Sequence, residues 1–204
     1  MMTLVVRASA GAAAGAAARL VLARLAAQPS LVLGLPTGAT PVPLYRHLVD
    51  AYRRGAADFS RATTFNLDEF LGVGRGDAGS YRTFMEAHLF SQVNLSPRRT
   101  FVLDGRADDW RMEARRYETA MARAGGLDLV VLGIGRNGHL GFNEPAPALT
   151  ARTHRVRLRP ETRRANAALF EGRLAAVPRW ALSMGIGTIL GAREVVLLAT
   201  GPAK

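Results

Sequence analysis

The run Leu127–Gly133 (LDLVVLG) constrains this chain more than any other segment. Residues 129–132 are apolar without alternation, so neither face is left for water, as in a strand inside a parallel sheet. The run is too short for a helix and opens straight into a glycine-rich loop. Such a strand needs helices on both faces, and the rest of the chain supplies them. Leu31–Gly34 reads as a buried strand, and Pro41–Arg54 as a helix entered through a proline. Ala62–Leu67 is a second strand, and Ser80–Ser91 a helix with Ser80 as its N-cap. Phe101–Leu103 is short and strand-like. Asp108–Ala124 is a long helix with Trp110, Met112, Tyr117 and Met121 near its apolar side. Val156–Leu158 is a further strand, followed by a helix over Glu161–Phe170. Trp180–Met184 and Glu194–Thr200 are strands flanking a short helix around Gly187–Gly191. Alternating strand and helix predicts an α/β fold with a parallel sheet covered on both faces. No repeat or low-complexity linker interrupts it, Gly72–Gly79 is the most loop-like stretch, and 204 residues fit a single domain.

Composition narrows the chemistry. There is no cysteine, which removes disulfides, thiolate metal sites and a cysteine nucleophile. The formal charge of +11 invites a nucleic-acid reading, yet the arginines are scattered and form no stripe interleaved with aromatics. The expectation is therefore no nucleic-acid partner, with the positive field available to a small anionic substrate. The Ala-rich N-terminus superficially suggests a secretory signal, but Arg7, Arg19 and Arg24 interrupt it and an ordinary surface helix suits it better. No stretch approaches 18 uncharged apolar residues, so no membrane span is expected and a cytoplasmic location follows by default.

In open parallel sheets ligands collect beyond the C-terminal strand ends. Three polar constellations fall there. The first is residues 34–41 (GLPTGATP), between a strand and a helix. Small residues let backbone N–H groups approach an anion at a helix N-terminus, and Thr37 and Thr40 add hydroxyls. It matches neither nucleotide-binding glycine pattern, and a tight turn that binds nothing also fits. The second is residues 65–70 (FNLDEF). A shielded carboxylate at a strand end suits a general base, though a cap or loop acid fits as well. One of its two adjacent acids can face the cleft while the other makes structural contacts. The third is residues 133–145 (GIGRNGHLGFNEP), whose His139 and Glu144 are close enough to share a proton or fix a tautomer. His47, His88 and His154 have no comparable setting. No zinc-type spacing joins these residues, so no metal is expected.

In this order, with SYRTFM, RTHRVRL, ETRRAN, VPRWALSMGIGTIL and the terminal TGPAK, the segments resemble the glucosamine-6-phosphate deaminase family from about Leu31 to Lys204. The wider superfamily includes 6-phosphogluconolactonases, which are not expected to carry the FN-E-P continuation or the N-x-D-E pair. The resemblance implies a three-layer α/β/α Rossmann-like fold. It also implies cofactor-free conversion of glucosamine 6-phosphate and water to fructose 6-phosphate and ammonia. By carry-over, Asp68 moves the C2 proton to C1, and His139, supported by Glu144 and Asn137, assists ring opening. Thr37, Gly38, Ala39 and Thr40 would hold the phosphate together with Lys204, the one lysine among 27 basic residues.

The chain departs from the pattern in four places. Asn137 stands where some members have aspartate. Ala168 stands where an arginine contacting the phosphate is expected, with Arg163, Arg164 or Arg173 as substitutes from the same segment. His154 and Val156 replace basic residues that bind an allosteric sugar phosphate in hexameric members, so no such activation is expected. Finally, the family continues through at least another helix and strand after Lys204, so a fragment or shortened variant is expected, with apolar surface exposed near its end. A homo-oligomer, the galactosamine epimer, a lactonase and a non-catalytic sugar-phosphate-binding module remain open alternatives.

Overall fold

The computed structural model describes residues 2–201, and the apolar run becomes β5 (Leu129–Gly133), an inner strand of a five-stranded parallel sheet. The sheet also contains β1 (Val32–Leu35), β2 (Thr63–Asn66), β4 (Thr100–Phe101) and β8 (Glu194–Leu198), in the order β4-β2-β1-β5-β8. Every pairing in it is parallel. Side chains alternate between its faces. Leu33, Leu35, Leu129 and Val131 pack with Val21 of α1 (Ala10–Ala27) and with Leu44 and Leu48 of α2 (Val42–Arg53). Val32, Phe65, Val130 and Leu132 pack oppositely, with Tyr117 and Met121 of α4 (Trp110–Arg123) and Ile189 of α6 (Ile186–Leu190). At roughly 1.5–3 kcal/mol per buried large apolar side chain, this two-sided core is the main stabilising contribution.

By length and composition α1 is apolar enough to cross a membrane, a test the sequence was expected to fail. In the fold, Ala14, Ala17, Ala18, Val21 and Leu25 are buried in the core, and Arg24 bonds Glu194 at 2.7 Å. Alpha4 is capped by Asp109, whose side chain accepts from Arg111 N. Met112 does not share its apolar face and is 59% exposed. Successive residues turn by about 100°, so Met112 points some 140° away from Tyr117, whereas Trp110 and Met121 lie close to it. Ser80 caps α3 (Tyr81–Met85) as expected, and the helix then widens into a π-helical turn at Glu86–Phe90. The helix expected over Glu161–Phe170 divides into α5 (Pro160–Ala165) and a 3-10 turn at Ala167–Phe170.

The strand read at residues 62–67 is β2, and after Leu67 the chain leaves the parallel sheet and forms β3 (Asp68–Phe70). Two strand readings need correction: the strand read at residues 156–158 is not part of the parallel sheet. Residues 180–184 do not join the parallel sheet either. They form β7 (Trp180–Ser183), which pairs antiparallel with β3 on one side and β6 (His154–Arg157) on the other. An aromatic cluster underlies this second sheet, with the Phe70 ring centroid 5.0 Å from Tyr81, 4.9 Å from Phe142 and 5.3 Å from Phe170. At the edge of the parallel sheet Leu197 is 52% exposed, and nearby Leu190 of α6 is 67% exposed.

Candidate active site

Successive residues of a strand point to opposite sides, and β3 uses this to separate two adjacent acids. Glu69 turns to α3. Its carboxylate accepts Ser80 Oγ at 2.7 Å, Phe70 N at 2.9 Å, Tyr81 N at 3.0 Å and Arg82 N at 3.1 Å. It is a structural anchor for the start of that helix. Asp68 turns the other way, and among the described residues no hydrogen bond reaches its carboxylate. Burial without compensation, and to a lesser degree the charge of Glu69, raise its pKa to about 8.

The glycine-rich loop after β5 folds against this acid. Gly141 adopts φ +58, and a Cβ there would lie 3.2 Å from Ser183 Oγ and 3.4 Å from Asp68 Oδ2, so loop backbone and acid are in near contact. Ser183, paired with Asp68 across the sheet, accepts Phe142 N and Asn143 Nδ2, each at 3.1 Å. The Asn143 amide also donates to Leu140 O and Met184 O, each at 2.8 Å. Gly135 lies under the His139 imidazole, where any Cβ would collide with the ring at 2.2 Å.

The His139 tautomer follows from the hydrogen bonds. The Glu144 carboxylate, an acceptor when ionised, takes Asn137 Nδ2 at 2.8 Å, which fixes the amide orientation. Asn137 Oδ1, an acceptor, then lies 2.6 Å from His139 Nδ1, so Nδ1 carries the proton and Nε2 is the acceptor nitrogen of the neutral ring. The other Glu144 oxygen accepts Arg159 N at 2.9 Å, and Thr162 Oγ1 stands 3.5 Å from His139 Nδ1.

The threonine loop closes the third side. The start of α2 adjoins Thr37–Thr40: Val42 N donates to Ala39 O at 3.4 Å, Pro43 has no N–H, and Pro41 provides no side-chain cap, so the Leu44 N–H and the helix dipole face this loop. The buried Tyr45 hydroxyl donates to Pro36 O and ties loop to helix. Tyr81 joins the parts: its buried hydroxyl bonds Thr37 and donates to Asn166 Oδ1 at 3.2 Å. Burial pushes the Tyr81 pKa well up, and the neighbouring Asp68 charge adds to this. The sequence alone assigns Tyr81 no role; a tyrosine one residue after a helix cap is the signal it offers. Asp68, His139, Asn137, Glu144 and the threonine loop are thus brought together beyond the C-terminal ends of β1, β2 and β5. Lys204 lies outside the described residues.

Ala168 is exposed in the 3-10 turn. Arg163 is no substitute for an arginine there, because its guanidinium donates to Leu174 O at 2.9 Å and Val177 O at 2.8 Å. Arg173 pairs with Glu171 at 2.9 Å, which leaves Arg164, loosely held by Glu161 at 3.9 Å.

Residues 6–204 match the model of the glucosamine-6-phosphate isomerase/6-phosphogluconolactonase family. The chain belongs to that family. Within it, the chain is 45% identical over 188 residues to the glucosamine-6-phosphate deaminase of Alkaliphilus oremlandii, covering 92% of this chain and 78% of that protein. It is 46% identical to that of Halothermothrix orenii, with the same coverage of 92% and 78%. The solved structure of a monomeric glucosamine-6-phosphate deaminase superposes with a TM-score of 0.92 at 39% identity, covering 96% of this chain and 81% of that one. The 6-phosphogluconolactonase of Trypanosoma cruzi shares the fold, with a TM-score of 0.78 at 21% identity, 100% of this chain and 82% of that one.

Proposed function

We propose that this enzyme isomerises and deaminates glucosamine 6-phosphate, giving fructose 6-phosphate and ammonia. The observation that carries the reading is the pairing of a desolvated, unbonded Asp68 with a histidine whose tautomer is fixed, on either side of one crevice. In the reading, the threonine loop and the start of α2 hold the phosphate, with Lys204 as a further cation. His139 Nε2 accepts the proton of the anomeric hydroxyl and delivers it to the ring oxygen as the C1–O5 bond breaks. The Asp68 carboxylate then removes the C2 proton, which the adjacent carbonyl acidifies, and returns it to C1. The resulting C2 imine takes up water, and its nitrogen leaves as ammonia. No electrons leave the substrate, so the step calls for no redox cofactor. All of these groups come from one chain, and no nucleic acid, membrane or second subunit enters the reading. A cytoplasmic setting goes with it, since a phosphomonoester's charge keeps it from crossing a bilayer.

Ammonia release from glucosamine 6-phosphate tests the proposal, with galactosamine 6-phosphate and 6-phosphogluconolactone as competing substrates. The glucosamine epimer is expected to give the highest kcat/KM, with an acid limb near pH 8, because the base works only when ionised. Faster turnover of the lactone would overturn the reading, as would equal ammonia release by Asp68→Asn.

A further inference from the structure

The opposite end of the parallel sheet holds a second concavity, of about 970 Å³. It opens where β1, β2, β4, β5 and β8 begin, whereas the site above lies where strands end. From Thr63 at its wall to Asp68 the chain advances five residues, roughly 15 Å along a strand. A single sugar phosphate in one site therefore does not reach the other.

Five arginines line this cleft: Arg98, Arg99, Arg116, Arg123 and Arg193. They come from the turn before β4, from α4 and from the turn before β8, so that separate elements aim positive charge at one space. Two are answered by acids. Arg116 is gripped by Glu113, with Nη2 at 2.7 Å from Oε1, and Arg193 lies 3.1 Å from Asp128. Asp128 is itself occupied, accepting Val32 N and Gln28 Nε2, each at 2.8 Å. Among the described residues, Arg98, Arg99 and Arg123 meet no carboxylate. These three arginines line one cleft without counter-charge; Arg99 Nη1 donates to the Thr63 hydroxyl at 3.4 Å, and a guanidinium can grip a phosphoryl group through paired N–H donors.

We propose that this cleft binds a small molecule carrying a diphosphate group. One phosphoryl group brings a charge of about −1.5 to −2, too little for three cations, whereas two linked groups bring roughly −3. The volume lies within the range of small-ligand sites, about 300–1,000 Å³. A single-stranded nucleic acid fits less well. It would need rings on which bases stack, and the cleft's aromatic residue, Phe101, is already stacked on Phe65 at 4.6 Å. The proposal does not rest on the catalytic reading, since its cations touch none of the groups that reading uses.

The test is calorimetric titration of the full chain at about 0.15 M salt, with fructose 6-phosphate present throughout to occupy the catalytic crevice. Inorganic pyrophosphate, ADP and orthophosphate are the probes. One equivalent of pyrophosphate is expected to bind at least about tenfold more tightly than orthophosphate. Tighter binding of ADP would identify a nucleotide as the source of the diphosphate, and weaker binding a free diphosphate. The double substitution Arg98→Gln, Arg123→Gln is expected to weaken pyrophosphate binding at least about tenfold, with ammonia release and melting temperature unchanged. Both side chains are exposed, so the fold does not depend on them. Undiminished binding in the double variant would overturn the proposal. So would equal affinity for orthophosphate and pyrophosphate, or displacement of pyrophosphate by a single-stranded RNA oligonucleotide.

Discussion

Every residue of β1 and β2 is buried, whereas β6, in the smaller sheet, alternates between half-buried and exposed residues. The inner strands β1 and β5 are a matter of area: apolar side chains on both faces, each removed from water by a helix, while the edge strand β8 leaves Leu197 exposed. The antiparallel sheet holds Asp68, Glu69 and Ser183 where apolar residues would be more stable, and two of the three are fully bonded. The exception is Asp68. The inner parallel strands therefore contribute most of the buried apolar area, and the smaller sheet carries a buried acid that no hydrogen bond satisfies.

The largest effect expected is at Asp68, and it has two opposite signs. Asp68→Asn should lower kcat by about 10³-fold or more. It should also raise stability at pH 8, by an amount on the order of a few kcal/mol. The folded-state pKa of about 8 is above the usual aspartate value of 3.8, so the native form holds more protons than the unfolded one between those limits. Wild-type stability thus falls as pH rises from about 4 to about 8, and the advantage of the variant should vanish towards pH 4. Chemical denaturation at several pH values checks this, and a flat difference would break the contrast between the sheets. Next comes Leu129→Ala in the parallel sheet, expected to cost about 2–5 kcal/mol while leaving kcat of the folded fraction unchanged.

Asn137→Ala sharpens the comparison within the site. Loss of the acceptor for Nδ1–H should reduce kcat about 10–100-fold with little change in KM, as for other residues that orient a working histidine. Asn137→Asp should recover much of this, because it restores an acceptor, although it must then share a proton with Glu144 at 2.8 Å. An effect of similar size, on KM rather than kcat, is expected for Ala168→Arg. An added charged contact of roughly 1.5–3 kcal/mol should lower KM by about tenfold or more, with kcat and melting temperature nearly constant. Initial-rate measurements with glucosamine 6-phosphate separate these outcomes.

The same contrast explains what could be read from the sequence. Strands whose faces are both covered announce themselves: the reading of residues 127–133, 31–34 and 62–67 came within two residues of the ends of β5, β1 and β2. Beta3 and β7 could not be recognised as a separate sheet, because three or four residues encode burial but not a pairing partner. In the site, Asp68, His139 and Glu144 stood out because strand ends and glycines mark the loops that carry them, and Asn137 through the family resemblance. Tyr81 did not, since its link to Thr37 and Asn166 arises only when distant segments meet. The residue pattern alone left the duties of Asp68 and Glu69 undivided and the family resemblance singled out Asp68; the packing of α3 adds that Glu69 is the satisfied acid.

The bond from Arg159 N to Glu144 has a consequence for timing. Glu144 orients Asn137, and Asn137 sets which ring nitrogen of His139 is protonated, so the proton's address depends on the start of α5 being seated. Lifting residues 159–162 would withdraw both that backbone donor and the Thr162 hydroxyl in a single movement. On the proposed mechanism, the seating of residues 159–162 and the orientation of the His139 ring are thus linked through one carboxylate, Glu144.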